Sequence, residues 1–226
     1  MRRPALFAAI ALATTTAQAQ IAAGDYISKG GAFTLQVTPG AFEIVGVGAS
    51  GNTCTIDGLR QGLTGRASDA GRVCVVKFAK HPDGVEVKAQ TRSICARFCG
   101  AEATFEGLYL KPAAGCADKE RERTQKSVEA ATAARDDARI ESLLSAQLTT
   151  CAKTLPWLDG VSARVDLAAA QMRQGRKPDC LKTLEPLIAD ADASDEALQE
   201  KYSSFDLYRY ESALKDLRAT LKQCRA

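Results

Sequence analysis

Between residues 32 and 110, apolar and polar positions alternate. AFTLQVT, AFEIVGV, TCTIDGL, GLTGRA, RVCVVKF, GVEVKA and ATFEGLYL are short runs that carry this pattern, the period of a half-buried strand. Turn residues separate them: PG at 39–40, GASGN at 48–52, RQG at 60–62, SDAG at 68–71 and HPDG at 81–84. Seven short strands with turns between predict a small antiparallel barrel or sandwich. Gly46 and Gly65 fall inside runs, where glycine permits a bulge or tight curvature.

After KPAAG at 111–115 the spacing changes. ADKERERTQKSVEAATAA, 117–134, is rich in charge and alanine and predicts a helix with a solvated face. Ile140, Leu144, Leu148 and Cys151 then recur at helical spacing behind a capping Asp136. Trp157, Val161, Val165, Ala168 and Met172 do the same in a third helix, ended by Gly175. Pro178 opens a fourth, where its missing N–H costs nothing, and Pro186 bends that helix late. A short segment at 195–201 precedes a last helix with Leu207, Leu214, Leu217, Leu221 and Cys224 on one face. The fold class is α+β: a small antiparallel β domain at 20–111, then an all-α domain at 112–226.

LAAAQMRQGRKPDCLKTLEPLI, 167–188, resembles a tetratricopeptide helix pair. Leu167 and Ala168 match the small-residue contact of its first helix, Gly175 its turn, and Leu184 a large position on its second helix. Cys180 stands where the second helix usually carries alanine. Stepping a 34-residue period in either direction gives poor matches, so the resemblance covers one helix pair. It implies a TPR-like helical domain with a concave surface for peptide or protein.

The first twenty residues, MRRPALFAAIALATTTAQAQ, combine Arg2 and Arg3, an apolar Leu6–Ala13 stretch and the small-x-small site Ala17-Gln18-Ala19. This predicts a secretory signal peptide at 1–19, cleaved before Gln20, and a periplasmic or secreted bacterial protein. No later run of eighteen apolar residues exists, so no membrane span is expected. The formal net charge of +3 includes Arg2 and Arg3, and aromatic residues make up 6 % of the chain. Nucleic-acid binding needs a basic face with stacking aromatics, and neither is present.

All eight cysteines (Cys54, Cys74, Cys95, Cys99, Cys116, Cys151, Cys180, Cys224) follow the expected cleavage site. An even count in an oxidising compartment predicts four disulfides. Cys54 and Cys74 share strand parity with inward apolar neighbours. In a simple meander they lie two strand spacings apart, about 9.6 Å, beyond the roughly 7 Å that a disulfide spans between Cα atoms. Each is therefore expected to pair with Cys95 or Cys99. The alternative is Cys54–Cys74 across a closed barrel with Cys95–Cys99 as a local clip. In the helical half, Cys116–Cys151 closes a helix hairpin and Cys180–Cys224 joins antiparallel helix ends.

Little in the chain points to catalysis. The single histidine, His81, sits in a turn, and no GxSxG, HExxH, Walker or GxGxxG motif occurs. Asp136-Asp137 and Asp190-Ala191-Asp192 read as helix caps, not calcium ligands, because no terminal bidentate glutamate completes a loop motif. No metal and no cofactor is expected. The expected function is a non-catalytic binding or protein-interaction module whose partner is another envelope or extracellular protein. The general plan is similar to small exported bacterial envelope proteins, including periplasmic lysozyme inhibitors. That similarity implies action through a β-domain loop, for which Arg66, Ser68 and Asp69 in GLTGRASDAG are the candidates. A third reading is a thiol-disulfide oxidoreductase using Cys95 and Cys99.

Overall fold

A computed structural model describes residues 20–48, 51–100 and 103–226. The expected signal peptide at 1–19 lies outside the described residues.

Eight antiparallel strands close into a barrel in simple sequence order: β1 (Gly24–Ser28), β2 (Phe33–Thr38), β3 (Ala41–Val47), β4 (Thr53–Gln61), β5 (Thr64–Asp69), β6 (Arg72–His81), β7 (Gly84–Ala89) and β8 (Gly107–Leu110). The alternation at 32–110 predicts seven strands; the eighth, β1, lies before it and closes the barrel through Ile27↔Leu110 and Ser28↔Tyr109. The last strand is shorter than its apolar run, since residues 103–106 precede β8. Closure leaves no open edge and decides for a barrel over a sandwich.

An eight-stranded barrel is only wide enough for side chains, and here Leu35, Phe42, Ile44, Ile56, Val76, Phe78 and Val87 fill it. Gly46 and Gly65 make room in that filling. A Cβ on Gly46 would lie 2.3 Å from the Phe33 ring, and one on Gly65 would lie 2.5 Å from the Phe42 ring. Between β7 and β8, a short helix α1 (Arg92–Cys95) and a 3-10 turn (Ala96–Phe98) form a strap. It is tied at Cys74–Cys95 and Cys54–Cys99, with Cα separations of 4.7 Å and 4.0 Å.

Seven helices follow: α2 (Asp118–Ala133), α3 (Asp137–Thr150), α4 (Trp157–Arg173), α5 (Lys177–Leu184), α6 (Ile188–Asp192), α7 (Asp195–Lys201) and α8 (Ser204–Arg225). Pro186 sits in the 3-10 turn Glu185–Leu187 that separates α5 from α6, because proline removes a helical donor. The central helix α4 is buried on two faces. Ala163, Leu167 and Ala170 meet Val128, Ile140 and Leu144 of α2 and α3. Val161, Val165 and Ala168 meet Leu184, Tyr210, Leu214 and Leu217. Its small residues let helices approach from both sides.

The hairpins α2–α3 and α4–α5 end their first helix in the same way. Arg135 and Gly175 adopt positive φ, 57° and 73°. Arg135 N–H donates to Thr132 O, and Asp136 N–H to Ala131 O. Gly175 N–H donates to Met172 O, and Arg176 N–H to Gln171 O. This is the Schellman closure, which satisfies the last carbonyls of a helix. Buried positions repeat with the same offset: Val128 with Ala168, Ala131 with Gln171, Ile140 with Cys180, and Leu144 with Leu184. The repeat is about 40 residues, longer than the tetratricopeptide period. Cys116–Cys151 and Cys180–Cys224 staple this half, with Cα separations of 5.3 Å and 5.9 Å.

Barrel and helices meet where the β1–β2 turn approaches the α3–α4 connection. Gly30 N–H donates to Lys153 O at 3.0 Å. Gly31, at φ +78°, lies so close that a Cβ would come within 2.6 Å of Thr154 O and Pro156 N.

Candidate functional site

A polar groove of about 370 Å³ is lined by α2 and α4 together with Gln147 of α3. Asp118, Arg121 and Gln125 follow one another at helical spacing on α2, and Asp159 and Ser162 face them from α4. Arg121 lies across the groove and donates to Asp118 and Asp159, at 2.7 Å each. Its side chain is 14 % exposed, and its Nε finds no partner among the described residues. Glu122 pairs with Lys126, whose ammonium holds the Glu122 carboxyl below the usual carboxylate range. Gln125 and Ser162 remain exposed on the two walls. The groove thus offers a fixed arginine, carboxylates and amide groups, a set suited to hydrogen-bonding an extended polar chain.

A second polar cluster lies among α4, α6, α7 and α8. Asp190 is buried at 6 % exposure. It accepts hydrogen bonds from Lys201 Nζ at 2.5 Å, Tyr202 OH at 2.5 Å and Tyr210 OH at 3.2 Å. Burial pushes its carboxyl up, but those donors outweigh it and hold Asp190 below the ordinary aspartate range. Asp190 in return raises Lys201. Burial, then Asp190, raises both tyrosines. Trp157 stacks on Tyr202 at 5.4 Å and meets Tyr210 edge-on at 5.3 Å. The rings are in mutual contact, so the cluster ties four helices together.

The helix-cap reading of Asp190-Ala191-Asp192 is corrected here. Asp190 holds the three donors just named, and Asp192 forms a two-pronged pair with Arg225 at 2.9 Å. Asp136 does cap α3, accepting from Arg139 N–H at 3.0 Å. The Asp190 cluster was missed because its partners stand 11 to 20 positions away. The signal on offer was the chain's single tryptophan at the head of a helix.

The β-domain candidates fall on a strand and a tight turn. Arg66 and Ser68 are exposed along β5, and Asp69 ends it. The β5–β6 connection is the two residues Ala70 and Gly71, both at positive φ, as a two-residue hairpin turn requires. Asp69 accepts from Arg97 Nε of the strap at 3.1 Å. GLTGRASDAG therefore forms no protruding loop.

Cys95 and Cys99 are each joined to a strand, not to one another. Cys95 is buried at 1 % exposure, and among the described residues no cysteine is free. His81 ends β6, where its Nδ1 accepts from Asp83 N–H. It lies beside Gln20, Tyr26, Lys80, Asp83 and Lys111 in a shallow depression at the barrel rim.

Among the described residues no group of three or more histidine, cysteine or acidic side chains converges as a metal site would. No described helix is long and apolar enough to cross a membrane. Four disulfides fit an oxidising, periplasmic or extracellular compartment. No family model, no curated protein and no solved structure matches the chain.

Proposed function

We propose that this is an exported, non-catalytic binding protein of the bacterial envelope, and that its TPR-like helical half carries the contact surface. The observation behind this reading is the duplicated hairpin. Two copies of one helix-turn-helix unit set α2 and α4 as the walls of a groove with Arg121 fixed across it. Such a groove presents side chains to a bound segment while disulfides and apolar cores hold the walls apart. The barrel, filled by its own side chains, serves as the rigid companion module. The partner is another envelope or extracellular protein.

Site-specific photo-crosslinking in the periplasm tests this. A photoreactive residue at Ser162 or Gln125 is expected to give a discrete protein adduct. The same residue at Arg66 or Ser68 is expected to give none. Adducts from Arg66 and Ser68 alone overturn the assignment and favour inhibition through the barrel. Adducts from none of the four sites overturn the binding reading.

A further inference from the structure

We infer that Gln20, once exposed by signal cleavage, closes on itself as an amino-terminal pyroglutamate, so that the mature chain begins with a neutral lactam ring. This rests on the export reading, in particular on cleavage before Gln20.

The barrel fixes where that terminus sits. Ile21 is 4 % exposed and belongs to the barrel core, so the chain is anchored one residue beyond the expected cleavage point. Ala22 is tethered as well, its carbonyl accepting from Tyr26 OH at 2.9 Å. Gln20 itself is exposed, free to react yet held at the rim by its neighbour. Its surroundings carry Lys80 and Lys111, with Asp83 as the nearby carboxylate.

The neutral amine is the nucleophile. A free α-amine titrates near 7.7–8.0, so roughly a tenth of it or more is neutral at pH 7. The amine nitrogen of Gln20 attacks its own side-chain amide carbon, Cδ. A new C–N bond forms, the Cδ–Nε2 bond breaks, and Nε2 leaves as ammonia with one proton from the amine. The step needs no oxidant and no second substrate. Its product carries no charge and has no primary amine for an aminopeptidase to grip.

Intact mass of the oxidised protein purified from the periplasm decides this, with reductive dimethylation to count α-amines. Expected is the mass of residues 20–226 with four disulfides, lower by one ammonia, about 17 Da, and no amino-terminal label. A Gln20→Asn variant lacks the extra methylene the lactam needs and is expected to label fully at the same start. A chain that starts at Gln20 with a free, labelled amine overturns the lactam and leaves export standing. A chain that starts at another residue overturns the lactam and the cleavage assignment together. A full-length chain that keeps residues 1–19 overturns export itself.

Discussion

Arg135 and Gly175 hold the same left-handed corner of two helix hairpins, at φ 57° and 73°, with matching pairs of backbone hydrogen bonds. Glycine enters that region freely, whereas an L side chain costs about 1–2 kcal/mol there. Replacing Arg135 with Gly is expected to stabilise the protein by about 0.5–1 kcal/mol, and Gly175→Ala to destabilise it by about 1 kcal/mol. Urea midpoints measured on both variants check this. Equal destabilisation by both would show that the two corners are not equivalent.

Gly31 is one of the points where the barrel touches the helical half, another being Gly51 against the Phe205 ring of α8. An added methyl there would meet the backbone of Thr154 and Pro156, which cannot yield as a side chain can. Gly31→Ala is expected to cost at least about 2 kcal/mol. Gly40→Ala has a similar φ, 85°, but nothing within 4 Å, and is expected to cost only about 1 kcal/mol. A thermal melt that splits into two transitions in Gly31→Ala alone would show that this contact couples the two halves.

Asp190 makes stability depend on acid. Its folded carboxyl titrates below the ordinary range because Lys201, Tyr202 and Tyr210 overcome its burial. Such a group stabilises the fold above the unfolded aspartate value, about 3.9, and the contribution is lost as pH falls through the lower folded value. Asp190→Asn is expected to cost about 2 kcal/mol at neutral pH and to flatten the loss of stability below about pH 4. Denaturation midpoints from pH 2 to 7 on both proteins test it, and identical slopes would remove Asp190 as the source.

The cysteines are expected to be closed and inert. Alkylation of the native protein without reductant should add no mass, and peptide mapping should recover Cys54–Cys99, Cys74–Cys95, Cys116–Cys151 and Cys180–Cys224. A Cys74→Ser, Cys95→Ser double variant should lose about 2–5 kcal/mol. Rapid labelling of Cys95 and Cys99 would favour the oxidoreductase reading instead.

Much of the architecture is legible in the sequence because one physical rule governs each part. Strand alternation placed Cys54 beside Ile56 and Cys74 beside Val76 on the inner face, and all four are buried. Barrel closure was not legible. It depends on Gly24–Ser28, a five-residue stretch whose two exposed positions come first, too short for alternation to stand out. The equivalence of the α2–α3 hairpin to α4–α5 was hidden for a different reason. The α2–α3 corner residue is Arg135 where a pattern search expects glycine, and the offset is about 40 residues rather than the tetratricopeptide period. The Arg121 groove and the Asp190 cluster are tertiary. Arg121 and Asp159 stand 38 positions apart, and no local spacing announces a pair made by two helices crossing.

The two halves also differ in how their sulfur bridges relate to chain order. A polypeptide that threads into an oxidising space from its amino end presents Cys54 and Cys74 before Cys95 and Cys99. Joining cysteines in order of arrival would trap the barrel in the wrong connectivity, because its bridges are nested, Cys74–Cys95 inside Cys54–Cys99. The helical bridges, Cys116–Cys151 and Cys180–Cys224, join consecutive cysteines and come out right as they emerge. If export delivers the chain in this way, the barrel is expected to need reshuffling by an isomerase and the helical half only an oxidant.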